Sequence, residues 1–306
     1  MKSICYLVLA FNNYDDTVET INSIKKQRNY NADIDILVVD NNSIPKFAKP
    51  LCKFCEKNCI QYIYRNINDG YAGGNNFGWN LIKDKYKYIF VVNNDIIINN
   101  VDLSIKLVSI LENDNKIGIA GPVVYYGNNE RLTDKGIRRI FFNYFYEIKL
   151  IKTQDYEECD SVIGCFLALN PKNISSPLFD DSFFMYGEEL NLGLRTWKEG
   201  YKVIHLTDDE YSIYHKGGCN PFGNGSIWKF YLSIRNSILC SRQLNKNRGI
   251  YIFLIFVSVL RTYFKFNYLR NQRRAALKGF ISGIKLLNKD KNSISFDAQE
   301  ALQGKF

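Results

Sequence analysis

Three short apolar runs, each ending in amides or acids, restrict the fold of this chain more than any other feature. Residues 4–11 read ICYLVLAF and lead into Asn12-Asn13; residues 34–40 read IDILVVD and lead into Asn41-Asn42-Ser43; residues 86–92 read YKYIFVV and lead into Asn93-Asn94-Asp95. Runs this short and this rich in β-branched and aromatic residues predict strands buried on both faces, as in a parallel sheet. Between them lie a helical pattern at 15–28, a short helix from Pro50 through Asn58, a strand near 60–64 and a helix near 75–84. This alternation predicts an α/β fold with a mostly parallel central sheet flanked by helices. Ligands in such sheets gather at the carboxyl ends of the strands, so the three polar clusters predict one cleft.

From about 117 the pattern changes to isolated strands with longer connections: IGIAGPVVYY, an aromatic stretch at 137–151, and SVIGCFLALN at 161–170. A mixed second half of the sheet is expected there. A helix is predicted at 187–199, closed by Gly200 in the position a helix C-cap favours, then a polar loop at 207–226. Helices are predicted at 227–245, 249–266 and 271–287.

The net charge of +9 over 306 residues is unevenly placed, because residues 227–291 hold 14 Lys or Arg and a single acid, Asp290. The rest of the chain is slightly acidic. That division argues against nucleic acid as the partner of the main body and assigns an anionic surface to the carboxy-terminal segment. The uncharged run at 250–260 is too short to cross a bilayer. Flanked by bases it suits a peripheral position on anionic lipid; a core helix or a homodimer helix is the alternative. The apolar stretch at the amino terminus breaks at Asn12, so export is not expected. Eight cysteines are too sparse for a disulfide framework and predict reduced thiols. Cys52, Cys55 and Cys59 are spaced for one buried helical face rather than a metal site.

Several segments carry candidate chemistry. Asp95 leaves a buried strand beside two amides and can offer oxygen to a hard divalent cation while substrate phosphates complete the shell. Asp40 can accept a hydrogen bond from a base or ribose, or cap the next segment. The loop at 66–78 places glycines before a helix, either for close approach to a phosphate or sugar or as an ordinary helix entry. Residues 179–189 set acids and aromatics at a helix start, a general base beside sugar-stacking rings or plain N-terminal capping. Glu188 and Glu189 project about 100° apart, so one of them is expected to face the reaction centre. His215 and Lys216 are expected in a flexible loop able to close over a pyrophosphate.

In this order the segments resemble glycosyltransferase family 2, the inverting GT-A enzymes, and most nearly its rhamnosyltransferase-like branch. The matching residues are VVDNNS at 38–43, NDGYAGGNNFGW at 68–79, VNND at 92–95, FDDSFFMYGEELNLGLRTWKEGY at 179–201, YHKGG at 214–218 and YLSIRNSI at 231–238. The resemblance implies a GT-A catalytic domain at 1–226, with a nucleotide-binding half at 1–116 and an acceptor half at 117–226, and a basic helical region at 227–306. By that likeness Asp40 contacts the nucleoside, Asn94 the ribose side, and Asp95 binds Mn²⁺ or Mg²⁺. Glu189 stands at the general-base position and His215 binds metal or diphosphate. Phe11, Asn68, Gly70, Gly74, Asn75, Asn76 and Lys216 are expected on the donor side, and Asp181, Tyr186 and Glu188 on the acceptor side. Glu189 and Asn191 replace an aspartate and a second acid that the family often carries. The implied activity is metal-assisted single displacement from a UDP- or dTDP-sugar, rhamnose or another hexose, to a glycan or lipid-linked glycan of a bacterial surface polysaccharide. The implied location is the inner face of the cytoplasmic membrane. A catalytically silent nucleotide-sugar or glycan binder is the alternative from another class.

Overall fold

Along β1 (Lys2–Ala10) the side chains alternate between two apolar layers: Ile4, Tyr6 and Val8 enter one, Cys5 and Leu7 the other. Both faces are apolar because β1 lies inside the sheet, parallel to β2 (Ile34–Asn41) on one side and β4 (Tyr86–Asn93) on the other. The computed structural model describes residues 2–28, 34–127, 130–132, 151–217, 227–244, 247–264 and 270–287. The expected aromatic stretch at 137–151 lies almost wholly outside these residues, as does the expected domain boundary at 226.

The described residues form two sheets. The larger has eight strands in the order β3-β2-β1-β4-β10-β6-β11-β9 and adds β3 (Gln61–Arg65), β6 (Ile117–Gly121), β9 (Tyr156–Glu158), β10 (Phe166–Leu169) and β11 (Lys202–Leu206). Its β3-β2-β1-β4 half is parallel, whereas β10 runs antiparallel to both β4 and β6. The smaller sheet joins β5 (Ile96–Ile98), β12 (Ser212–His215), β7 (Val123–Tyr126) and β8 (Glu130–Arg131). Pro122 separates β6 from β7; having no N–H to give a ladder, it is where the chain leaves one sheet for the other.

Helices α1 (Tyr14–Lys25), α2 (Pro45–Lys57) and α4 (Leu103–Asn113) cover one face of the large sheet, and α3 (Gly70–Ile82) and α5 (Glu188–Lys198) the other. Helix α2 starts at Pro45, whose fixed φ suits a first helical position, and carries Pro50 inside it rather than at its start. Cys55 is buried under α2, but Cys59 lies past the helix end at φ +54° and is exposed. The three thiols therefore do not share the face their spacing predicts.

Helix α3 also begins earlier than expected, so the glycines of 66–78 lie within it. A Cβ on Gly74 would stand 2.5 Å from Leu9 Cδ1, and one on Gly78 2.4 Å from Leu7 Cδ1. These glycines let the helix lie directly on β1, which outweighs their helix-propensity cost of about 1 kcal/mol each. The expected strand at 161–170 is confined to β10, and the expected loop at 207–226 contains β12.

Helix α5 is pressed even more tightly against its neighbour. A Cβ on Gly193 would fall 2.0 Å from the carbonyl oxygen of Asp160, a backbone atom that cannot swing away. Gly193→Ala gains about 1 kcal/mol of helix propensity but is expected to lose about 2 kcal/mol or more net through overpacking. Denaturant unfolding measures this directly. Gly249→Ala, with nothing within 4 Å of the added methyl, serves as the neutral control.

The carboxy-terminal helices α6 (Ile227–Cys240), α7 (Arg248–Phe264) and α8 (Arg270–Leu287) share their buried side with the sheet. Ile238, Leu239, Tyr251, Ile255, Ala276 and Leu286 belong to the same apolar cluster as Leu7 and Leu37.

Candidate active site

A cavity of about 830 Å³ opens over the carboxyl ends of β1, β2 and β4. Leu9 and Phe11 line it from β1, Asn41 from β2, and Asn93, Asn94 and Asp95 from the end of β4. The strand-end clusters thus meet, as parallel topology requires. Asn94 is fixed by a 2.8 Å hydrogen bond from its Nδ2 to the Thr17 hydroxyl.

Pairing in the small sheet brings His215 to Asp95. His215 lies opposite Ile96 in the β12–β5 ladder, and the Lys216 N–H donates to the Asp95 carbonyl at 2.9 Å. The His215 Nε2 then stands 3.2 Å from Asp95 Oδ1, a buried carboxylate oxygen with no hydrogen bond among the described residues. His215 is therefore strand-anchored, not carried on a flexible loop. Its ring leans on Tyr126 at 5.7 Å between centroids. Among the described residues no group of three or more His, Cys, Asp or Glu could hold a metal ion alone. One carboxylate and one imidazole leave the remaining positions to phosphate and water, a donor set that fits Mg²⁺ or Mn²⁺.

Across the same cavity, α5 presents both Glu188 and Glu189. The expectation that one would face away does not hold, because they sit in the first turn, where the left-handed Tyr186 (φ +71°) and Gly187 (φ +92°) bend the chain into the helix. Tyr186 lines the cavity too. A non-glycine residue in that conformation is costly and must be held by its surroundings. Asn236 of α6 does so, donating from Nδ2 to the carbonyls of Met185 and Tyr186 at 2.8 and 2.6 Å. The Glu189 carboxylate accepts from the Gly187 N–H at 3.1 Å.

Burial, and then the charge of Glu189, push the Glu188 carboxyl well above its ordinary value. A carboxyl raised in the folded state adds stability that is full below its unfolded value, near 4.5, and is lost as pH rises through the folded value. Glu188→Gln removes that loss. Its melting temperature is expected to equal the parent's near pH 4 and to exceed it increasingly towards pH 8, by on the order of 2 °C or more. A thermal melt series across pH checks the trend.

The turn before α3 completes the wall. Asn41 Nδ2 donates to Asn68 Oδ1 at 2.9 Å and to the Gly70 carbonyl at 3.0 Å, and the Gly70 N–H returns to Asn68 Oδ1. Gly70 has φ +82°, and a Cβ there would collide with the Phe184 carbonyl. That carbonyl accepts from the Tyr71 N–H at 2.8 Å and the Ala72 N–H at 3.4 Å. The start of α3 is thus capped by protein and is not an open cradle for a phosphate.

Six expected site residues do not line the cavity. Asp40 points to the opposite face of β2 from Asn41, accepting from the Ser43 N–H and the Tyr62 hydroxyl, both at 2.8 Å. It caps the strand end. Gly74 is packed on Leu9, and Asn75 is buried with its Nδ2 on the Tyr71 carbonyl. Asn76 clamps the 179–181 segment to α3, giving its Nδ2 to the Phe179 carbonyl and to exposed Asp181 while its Oδ1 accepts from the Phe179 N–H. Lys216 turns to α1, pairing with Asp16 at 2.7 Å and with Glu19, and these bonds raise its pKa. Asn191, where a second acid is often found, is fully buried and off the cavity. Conversely, Tyr71, Gly164, Cys165, Met185 and Lys229 line it without having been expected. Tyr71 spans the floor, its hydroxyl donating to the Gly164 carbonyl at 2.6 Å. Burial, then Asp95, raises the Cys165 thiol, which leaves it an uncharged wall.

The same fold occurs in solved glycosyltransferases. GalNAc-T7, whose crystal structure holds UDP, GalNAc and Mn²⁺, superposes with a TM-score of 0.63 at 12% identity, over 98% of this chain and 58% of that one. S. aureus TarS 1-349 in complex with UDP superposes with a TM-score of 0.57 at 16% identity, over 100% and 93%. The chain spans half of the longer TarS chain. These likenesses define the fold as GT-A. Residues 5–174 match the family described as Glycosyl transferase family 2, and the chain belongs to that family. It is a glycosyltransferase. The low-salt glycan biosynthesis hexosyltransferase Agl10 of Haloferax volcanii is 25% identical over 221 residues, 69% of this chain and 68% of its own length.

Proposed function

We propose that the chain transfers a hexose, rhamnose or another, from a UDP- or dTDP-sugar to a hydroxyl of a glycan or lipid-linked glycan, inverting the anomeric carbon. The setting is synthesis of a bacterial surface polysaccharide on the cytoplasmic side of the membrane. One observation carries the reading: Asp95 with His215, and Glu188 with Glu189, line a single cavity. UDP in the TarS structure, and UDP, GalNAc and Mn²⁺ in that of GalNAc-T7, support a nucleotide-sugar donor. The hexosyltransferase Agl10 supports a hexose.

Glu188 holds its proton, so the pair carries its negative charge on Glu189, the member able to accept another. Glu189 takes the proton of the acceptor hydroxyl; that oxygen bonds to the anomeric carbon, and the bond from this carbon to the diphosphate oxygen breaks, leaving its electron pair on the diphosphate. Asp95 and His215 would hold Mn²⁺ or Mg²⁺, which when bound supplies positive charge to the departing diphosphate. Asn94 and Asn68 offer amides to the donor, and Phe11 and Tyr186 offer rings to its flat and apolar parts. A donor screen by thermal shift with Mn²⁺ identifies the nucleotide and sugar. Acceptor-dependent release of that nucleoside diphosphate confirms transfer; binding with no release under any acceptor would reduce the chain to a binder.

A further inference from the structure

Helix α7 is apolar on every side, yet only one side is covered. Tyr251, Ile255 and Val259 are buried against the body, while Ile250, Phe253, Leu254 and Phe264 are 57%, 61%, 51% and 71% exposed on the opposite side. A helix apolar all round is ordinarily enclosed, so this one is missing a partner. Its neighbour α8, joined to it by Phe256 against Phe280, buries Ala275, Ala276, Gly279 and Gly283 and turns Ile281 and Ile284 outward at 47% and 36% exposure. Arg274 and Lys285 are exposed on that same outward face of α8.

Charge identifies the missing partner. From 227 to 287 the sequence holds 12 Lys or Arg and no acid. A twofold contact through this surface would set those cations against their own copies, since an isologous interface apposes identical patches. A lipid surface instead offers anionic headgroups to the bases and acyl chains to the isoleucines, leucine and phenylalanines. Among the described residues no helix is long and apolar enough to cross a membrane, so the contact lies in the interface plane.

We propose that the outward faces of α7 and α8 dock this enzyme on an anionic bilayer, with the apolar side chains entering the headgroup boundary. Helix α6, against which α8 packs through Gly279 and Gly283, also carries Lys229 into the catalytic cavity and, through Asn236, holds the turn that presents Glu188 and Glu189. Docking therefore brings the acceptor side of the cavity near the lipid. The docking itself is independent of which sugar is moved.

Co-sedimentation of the full chain with vesicles tests this, comparing neutral phosphatidylcholine with a mixture of about one-third phosphatidylglycerol. Binding is expected to the anionic vesicles, weaker in high salt, and not to the neutral ones. Each base near such a surface strengthens binding about fivefold, so Arg274→Ala with Lys285→Ala is expected to weaken it about 25-fold. Phe253→Ser with Leu254→Ser is expected to weaken it at least tenfold. Hydrolysis of the donor by both variants stays at the parent level and shows that they fold. No binding of the parent to anionic vesicles overturns the proposal. So does an apolar variant that only converts a dimer to a monomer by light scattering, which would make a second copy the occupant. Competition by RNA, with the apolar variant binding vesicles as the parent does, would also overturn it and mark a nucleic-acid surface.

Discussion

Glu189→Gln is expected to lower turnover by about 10³-fold, within the range that loss of a general base produces. The amide keeps the shape of the side chain and can still meet the Gly187 N–H through its oxygen, so the turn into α5 is preserved. What it loses is the capacity to accept the acceptor's proton. Donor affinity is expected to change by less than about twofold, because the interaction removed belongs to the transition state. Steady-state kinetics with nucleotide binding measured on the same samples separates the two effects. A parent-like turnover would remove Glu189 from the reaction. Glu188→Gln distinguishes the members of the pair, since an amide can replace a carboxyl that already holds its proton.

Asp95→Ala is expected to cost 10² to 10³ in rate through lost electrostatic stabilisation of the leaving diphosphate. Unlike the Glu189 change, it is also expected to abolish the part of donor binding that depends on Mn²⁺. The carboxylate it removes is 4% exposed, and its Oδ1 has no hydrogen bond to replace among the described residues. The fold therefore gives up little when it goes. Calorimetric titration of nucleotide with and without Mn²⁺ reads this outcome; metal-enhanced binding that survives in Asp95→Ala would place the ion elsewhere.

The large parallel sheet and the convergence of its strand ends were legible in sequence because buried parallel strands are continuous apolar runs with abrupt polar ends. Phe11, Asn94, Asp95, Glu188 and Glu189 were found by that signal or by resemblance, and all reach the cavity. Asp40 and Asn41 show where it stops. Adjacent residues of a strand face opposite ways, and the period-2 alternation from Leu37 through Val39 to Asn41 assigns Asn41, not Asp40, to the α3 side. The start of α3 was misplaced because Gly70, Gly73 and Gly74 look like loop residues until β1 is seen lying beneath them. His215 looked mobile because β12 has only four residues and pairs with two strands distant in sequence. Gly164, Cys165 and Lys229 left no local trace: their place in the wall follows from β10 returning antiparallel beside β4, and from α6 packing back over the site.

Nuclear magnetic resonance of the isolated product, read for the configuration of the transferred anomeric carbon, addresses the single-displacement claim most directly. With Glu189 as base and one cavity holding both partners, the new glycosidic bond has the configuration opposite to that of the donor. A product that keeps the donor's configuration would contradict that account.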